Sequence, residues 1–95
     1  MSYLENKPYV LKYNPSCSEE IVKATRKNKP LEEALRMKIA QILENPFRFK
    51  PLRPPLQNKF RVHILKSFVL IFEASLADRI VYLVKFGHHD EAYNG

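Results

Sequence analysis

Three histidines, His63, His88 and His89, lie in the C-terminal third of this 95-residue chain, and histidine is the side chain best suited to exchanging protons near neutral pH. His63 belongs to the run K-F-R-V-H-I at residues 59–64. In an extended strand this run places Phe60, Val62 and Ile64 on one face and Arg61 and His63 on the other. His88 and His89 directly follow Gly87, where a turn would fold the tail back so that either ring approaches His63. Two imidazoles beside an arginine match what metal-free RNA cleavage requires. A base takes the proton from a ribose 2′-hydroxyl, cations stabilise the crowded phosphorane, and an acid protonates the departing 5′-oxygen. Arg61 and Lys50 would supply positive charge, and Tyr93 would stack on a base or orient a proton.

The same residues admit plainer readings. His63 can be a surface strand residue and His88-His89 a polar tail, since residue types without a fixed motif specify little. A metal site at His88, His89 and Asp90 would need a turn and a further ligand such as His63, because sequence neighbours seldom converge on one ion. No metal or other cofactor is expected. No serine has an acyl-transfer setting, and a chain with only two glycines has no glycine-rich phosphate loop. The single cysteine, Cys17, reads as a small packing residue.

Charge placement adds a second signal. The formal charge is +6, and no acidic residue occurs from Asn45 through Phe72. Arg48, Lys50, Arg53, Lys59, Arg61 and Lys66 fall in that stretch. An uncompensated positive field attracts polyanions and releases their counterions, so Arg48, Arg53, Lys59 and Lys66, with His88, are candidate RNA-binding residues. A solvated basic face or an acidic protein partner would fit the same composition.

These residues need a scaffold. Pro8–Tyr13 alternates as a first strand. Asn14-Pro15-Ser16 breaks it, and Ser16 with Glu19 forms an S-x-x-E capping box for a helix over Cys17–Arg26. Asn28-Lys29-Pro30 opens a second helix whose apolar stripe, Leu31, Leu35, Ile39 and Ile42, runs to Asn45, where Pro46 ends it. The two helices make an antiparallel hairpin. Pro46–Lys59 reads as a basic, proline-stiffened loop. Phe60–Leu65, Phe68–Ala74 and Arg79–Phe86 then form a three-stranded antiparallel meander. The fold class is α+β.

Length and composition bound the rest. At 95 residues, 45% hydrophobic and 27% charged, residues 1–95 are expected to form a single domain. The longest apolar runs, Phe68–Phe72 and Ile80–Val84, are far short of the roughly 20 residues a membrane helix needs. With no secretion signal legible in Met1–Pro8, a cytoplasmic location without membrane contact is expected.

The pieces N-P-F-R-F-K-P-L (45–52), K-F-R-V-H-I (59–64), V-L-I-F-E (69–73) and G-H-H-D-E-A-Y (87–93), in this order of elements, resemble the RelE/ParE toxin superfamily. The histidine pattern is most similar to its YafQ-type branch, and the resemblance covers about Pro8 to Tyr93. It implies a microbial-RNase-like α+β domain. It also implies a toxin that cuts mRNA on the translating ribosome, held inactive in a hetero-oligomer with an antitoxin encoded beside it. Carried over by position, His63 is the branch's strand histidine, His89 its terminal histidine and Tyr93 the aromatic residue that follows. Lys50 stands where this branch often has histidine, which assigns it charge stabilisation rather than proton transfer. Ser67 stands at a turn position that can hold aspartate. A toxin like ParE, which shares the fold and binds DNA gyrase, is the alternative, and a non-catalytic nucleic-acid-binding regulator is another. The two histidines favour the nuclease.

Overall fold

The computed structural model describes residues 9–52 and 58–89. Strand β1 (Val10–Tyr13) leads into helices α1 (Pro15–Thr25) and α2 (Lys29–Glu44), then a 3-10 turn at Pro46–Arg48. Strands β2 (Lys59–Ile64), β3 (Phe68–Ser75) and β4 (Ile80–His88) follow. This is the expected α+β order: strand, helical hairpin, meander. The sheet order is β1-β4-β3-β2. The meander pairs antiparallel, and β1 runs parallel to β4 at the opposite edge from β2. A parallel pair requires a long connection, and here α1 and α2 carry the chain from β1 to β2 at the far edge before β3 and β4 return beside β1. Pro8 lies outside the described residues.

One face of the sheet packs on the helices. Phe60, Val62 and Ile64 from β2, Leu70 and Phe72 from β3, and Val81, Leu83 and Phe86 from β4 meet Cys17, Leu31, Leu35 and Ile42 in one buried cluster. Phe72 is central. Phe60 stacks on it at 5.2 Å and Phe49 meets it edge-on at 6.0 Å. The aromatic residues of the N-P-F-R-F run are therefore framework: Phe47 also meets Phe60 edge-on at 5.6 Å. The described part of the proline-rich loop, residues 46–52, holds local structure that its composition does not announce. Besides the 3-10 turn, Pro51 bridges to Phe60, with the Leu52 amide donating to the Lys59 carbonyl and the Arg61 amide to the Lys50 carbonyl.

Helix α1 begins earlier than the capping box at Ser16 and Glu19 predicts. Pro15 occupies the first turn, so the cap moves back to Asn14, whose Oδ1 accepts from the Cys17 amide at 2.6 Å. Asn14 does more than cap. Its Nδ2 donates to the Val84 carbonyl at 2.9 Å, and its own amide donates to the Leu83 carbonyl. Val84 is the odd residue of β4: Leu83 pairs with Phe72 and Lys85 with Ile71, which leaves Val84 opposite no partner. This is a β-bulge, and it exchanges the two faces of β4 from that point on. Before it, odd-numbered Val81 and Leu83 are buried; after it, even-numbered Phe86 is.

The hairpin turns are made without glycine. Leu65 after β2 and Arg79 before β4 both take φ of 56°. Gly87 is not a turn residue: it lies inside β4, paired with Val69, at a negative φ. The strand runs on to His88, and the His89 amide continues the ladder by donating to the Ser67 carbonyl at 2.6 Å.

Because Asn14 both caps α1 and holds the bulge, Asn14→Ala should lower stability by about 1–2 kcal/mol, measured as a shift of the urea midpoint at unchanged m-value.

Candidate functional site

The sheet face turned away from the helices carries the polar residues, and the register orders them in rows across the strands. Val69 of β3 pairs with His63 on one side and Gly87 on the other. In the next row Ile71 lies between Arg61 and Lys85. In the third, Glu73 lies between Lys59 and Tyr82, and Tyr82 pairs in turn with Lys12 of β1. At the far end His89 follows Gly87 by two positions, on the same face.

His63 and His89 meet there. Their rings stack with centroids 5.6 Å apart and planes inclined by 23°. His63 is exposed and His89 half-buried. They come together across β3 by continuation of the ladder, not by a fold-back at Gly87. Arg61 precedes His63 by two positions on the same face, and the hydrogen bond from its amide to the Lys50 carbonyl brings Lys50 alongside. Lys66 is exposed on the turn between β2 and β3, next to the Ser67 carbonyl that holds His89. Two proton-exchanging rings in contact, flanked by cations, can serve one phosphodiester.

Other expected residues go elsewhere. His88 is turned by the Val84 bulge to the helix side, where its ring meets Phe68 edge-on at 5.7 Å and shares a groove with Glu20 and Lys23 of α1. It is not part of the cationic face. Arg48 lies in the 3-10 turn with its guanidinium 5.5 Å from the centre of the Phe49 ring, at the rim of the core. Lys59 is ion-paired with Glu73 across the β2–β3 ladder, both half-buried. The positive field is therefore compensated at this end, by the first acidic residue after the cationic stretch. Arg53 and Tyr93 lie outside the described residues. Cys17 is fully buried, and burial together with Glu20 raises its thiol to about 11, so it stays protonated and unreactive as a nucleophile.

Sequence reasoning missed three residues on the open face, Lys12, Tyr82 and Lys85. Lys85 and Tyr82 lie in a strand read for its apolar content, and only the bulge puts them on the same side. Lys12 joins them through the parallel pairing of β1, which has no local sequence signal.

The architecture has close counterparts among solved structures. A YoeB/ParE toxin from Agrobacterium tumefaciens superposes with a TM-score of 0.74 at 14% identity, covering 84% of this chain and 98% of that one. The E. coli DinJ-YafQ toxin-antitoxin complex matches with a TM-score of 0.71 at 15% identity, over 90% and 97%. In sequence, an uncharacterised protein of Methanosarcina mazei is 40% identical over 85 residues, 90% of this chain and 99% of that protein. A Methanocaldococcus jannaschii protein provisionally named toxin RelE4 is 38% identical over 85 residues, 90% of each. The fold is thus that of the RelE/ParE toxin superfamily. The chain belongs to the family described as ParE toxin of type II toxin-antitoxin systems, whose model matches residues 7–93.

The Lys59–Glu73 pair sets a measurable electrostatic balance. Glu73→Gln removes the counter-charge, so the variant should elute from heparin, a generic polyanion, at higher salt than the parent. Unchanged elution would mean that Lys59 does not face the polyanion.

Proposed function

We propose that this toxin is a ribosome-dependent mRNA endonuclease that inhibits translation. The observation carrying the proposal is the stacked His63–His89 pair on the open sheet face, with Arg61 one row away. One imidazole removes the proton from a ribose 2′-hydroxyl, and the oxygen attacks the adjacent phosphorus. Arg61 and Lys50 stabilise the charge gathered on the pentacoordinate phosphorane. The other imidazole protonates the departing 5′-oxygen, leaving a 2′,3′-cyclic phosphate. Both proton transfers are supplied by side chains, so this chemistry needs no resident metal ion. Tyr93 takes the base-stacking or proton-orienting role, and Arg53 and Lys66 contact RNA phosphates. The cognate partner is an antitoxin, as in the DinJ-YafQ complex, and it inhibits by blocking ribosome entry or by displacing Tyr93 and the His88-His89 tail.

A second reading is supported by the family model itself, which is named for ParE: a toxin that binds DNA gyrase and performs no RNA chemistry. Such a protein has no use for two contacting histidines on an open basic face, and this favours the nuclease.

His63→Ala and His89→Ala should each fold and lower cleavage of mRNA on translating ribosomes by at least about a hundredfold, read by primer extension on purified components. Parent-level cleavage in both variants, or gyrase inhibition with no cleavage by the parent, would overturn the nuclease. Co-expression with the adjacent antitoxin should yield a co-purifying complex and abolish toxicity; a chain harmless alone that retains no such partner would remove the toxin reading.

A further inference from the structure

We infer that the open face carries a second RNA subsite, centred on Tyr82 and flanked by Lys12 and Lys85, which holds a nucleotide one or two positions from the scissile bond. The inference rests on the endonuclease reading and extends it to residues outside the histidine pair. Tyr82 is cross-strand partner to Lys12 on one side and Glu73 on the other. Past the bulge on the same strand and face, Lys85 pairs with Ile71, which pairs with Arg61. Glu73 is engaged by Lys59, so its charge is offset where the polyanion would pass. A half-buried aromatic ring among cations on an open four-stranded sheet is what a single-stranded nucleic acid uses: bases stack on the ring, and lysines follow the phosphates.

The spacing suits a continuous strand. Tyr82 stands two rows from Gly87, about 13 Å at the rise of a β-strand, a reach of a nucleotide or two from a phosphodiester lying against the stacked His63 and His89 rings. Arg61, Lys85 and Lys12 then line a path from the histidines towards β1. An acidic peptide would meet the cations equally well but would make no particular use of the Tyr82 ring.

The test uses a single-stranded RNA heptamer labelled with a fluorophore, bound to the His63→Ala protein without ribosomes so that binding alone is read. Tyr82→Ala in this background should weaken binding by fivefold to roughly a hundredfold, as expected for one lost base stack, whereas Tyr82→Phe should bind like the parent. Lys12→Gln and Lys85→Gln should each flatten the salt dependence. An RNA shortened by two nucleotides on the side facing Tyr82 should become insensitive to Tyr82→Ala. Equal binding by the Tyr82→Ala and parent proteins, or no binding of the heptamer at all, overturns the subsite, as does a Tyr82→Ala effect confined to antitoxin affinity. The endonuclease reading fails separately, through undiminished cleavage by His63→Ala and His89→Ala.

Discussion

One unpaired residue governs which side chains share the open face of this sheet. Val84 interrupts the β3–β4 ladder, and everything beyond it on β4 changes face. With a regular strand, Phe86 would leave the core, His88 would join the cationic face, and His89 would point at α1. The bulge is held by the Asn14 side chain, which reaches from the cap of α1 to the Val84 carbonyl at 2.9 Å. The start of the first helix and the identity of the histidine that meets His63 are thus set by one amide group. Bulges are over-represented beside functional sites, where they re-aim side chains at the cost of a local break in the ladder.

The helices and strands were legible because each has a local cause. Prolines and asparagines mark both helix starts, the Leu31-Leu35-Ile39-Ile42 spacing marks the face of α2, and the Val, Ile, Phe and Tyr runs mark the meander. What was not legible depends on pairing between distant segments. The parallel placement of β1 beside β4 leaves no trace in Val10–Tyr13. The choice of Asn14 over Ser16 as cap follows from Pro15 entering the first turn, which a capping-box pattern does not weigh.

The site was half readable for the same reason. Alternation sufficed to place Arg61 and His63 together, since β2 is regular. It could not separate His88 from His89, because the residue that decides between them, Val84, is absorbed earlier in β4. Nor could it show that Lys59 has a partner: Glu73 is 14 positions away in the chain and directly opposite in the ladder. A count of uncompensated cations along a sequence overstates the field wherever a hairpin brings an acid across.

The two left-handed residues in the hairpin turns carry a consequence of their own. Side chains with a Cβ resist that conformation, at a cost of roughly 1–2 kcal/mol each. At the Arg79 turn the cost is met by bracing: the Val10 amide donates to the Arg79 carbonyl at 2.8 Å, and the guanidinium lies over the Tyr9 ring at 5.4 Å. At the Leu65 turn the neighbouring restraint is the hydrogen bond from the His89 amide to Ser67. That turn is therefore followed at once by the backbone contact that positions the terminal histidine, so the end of β4 is tied to the same hairpin that carries His63.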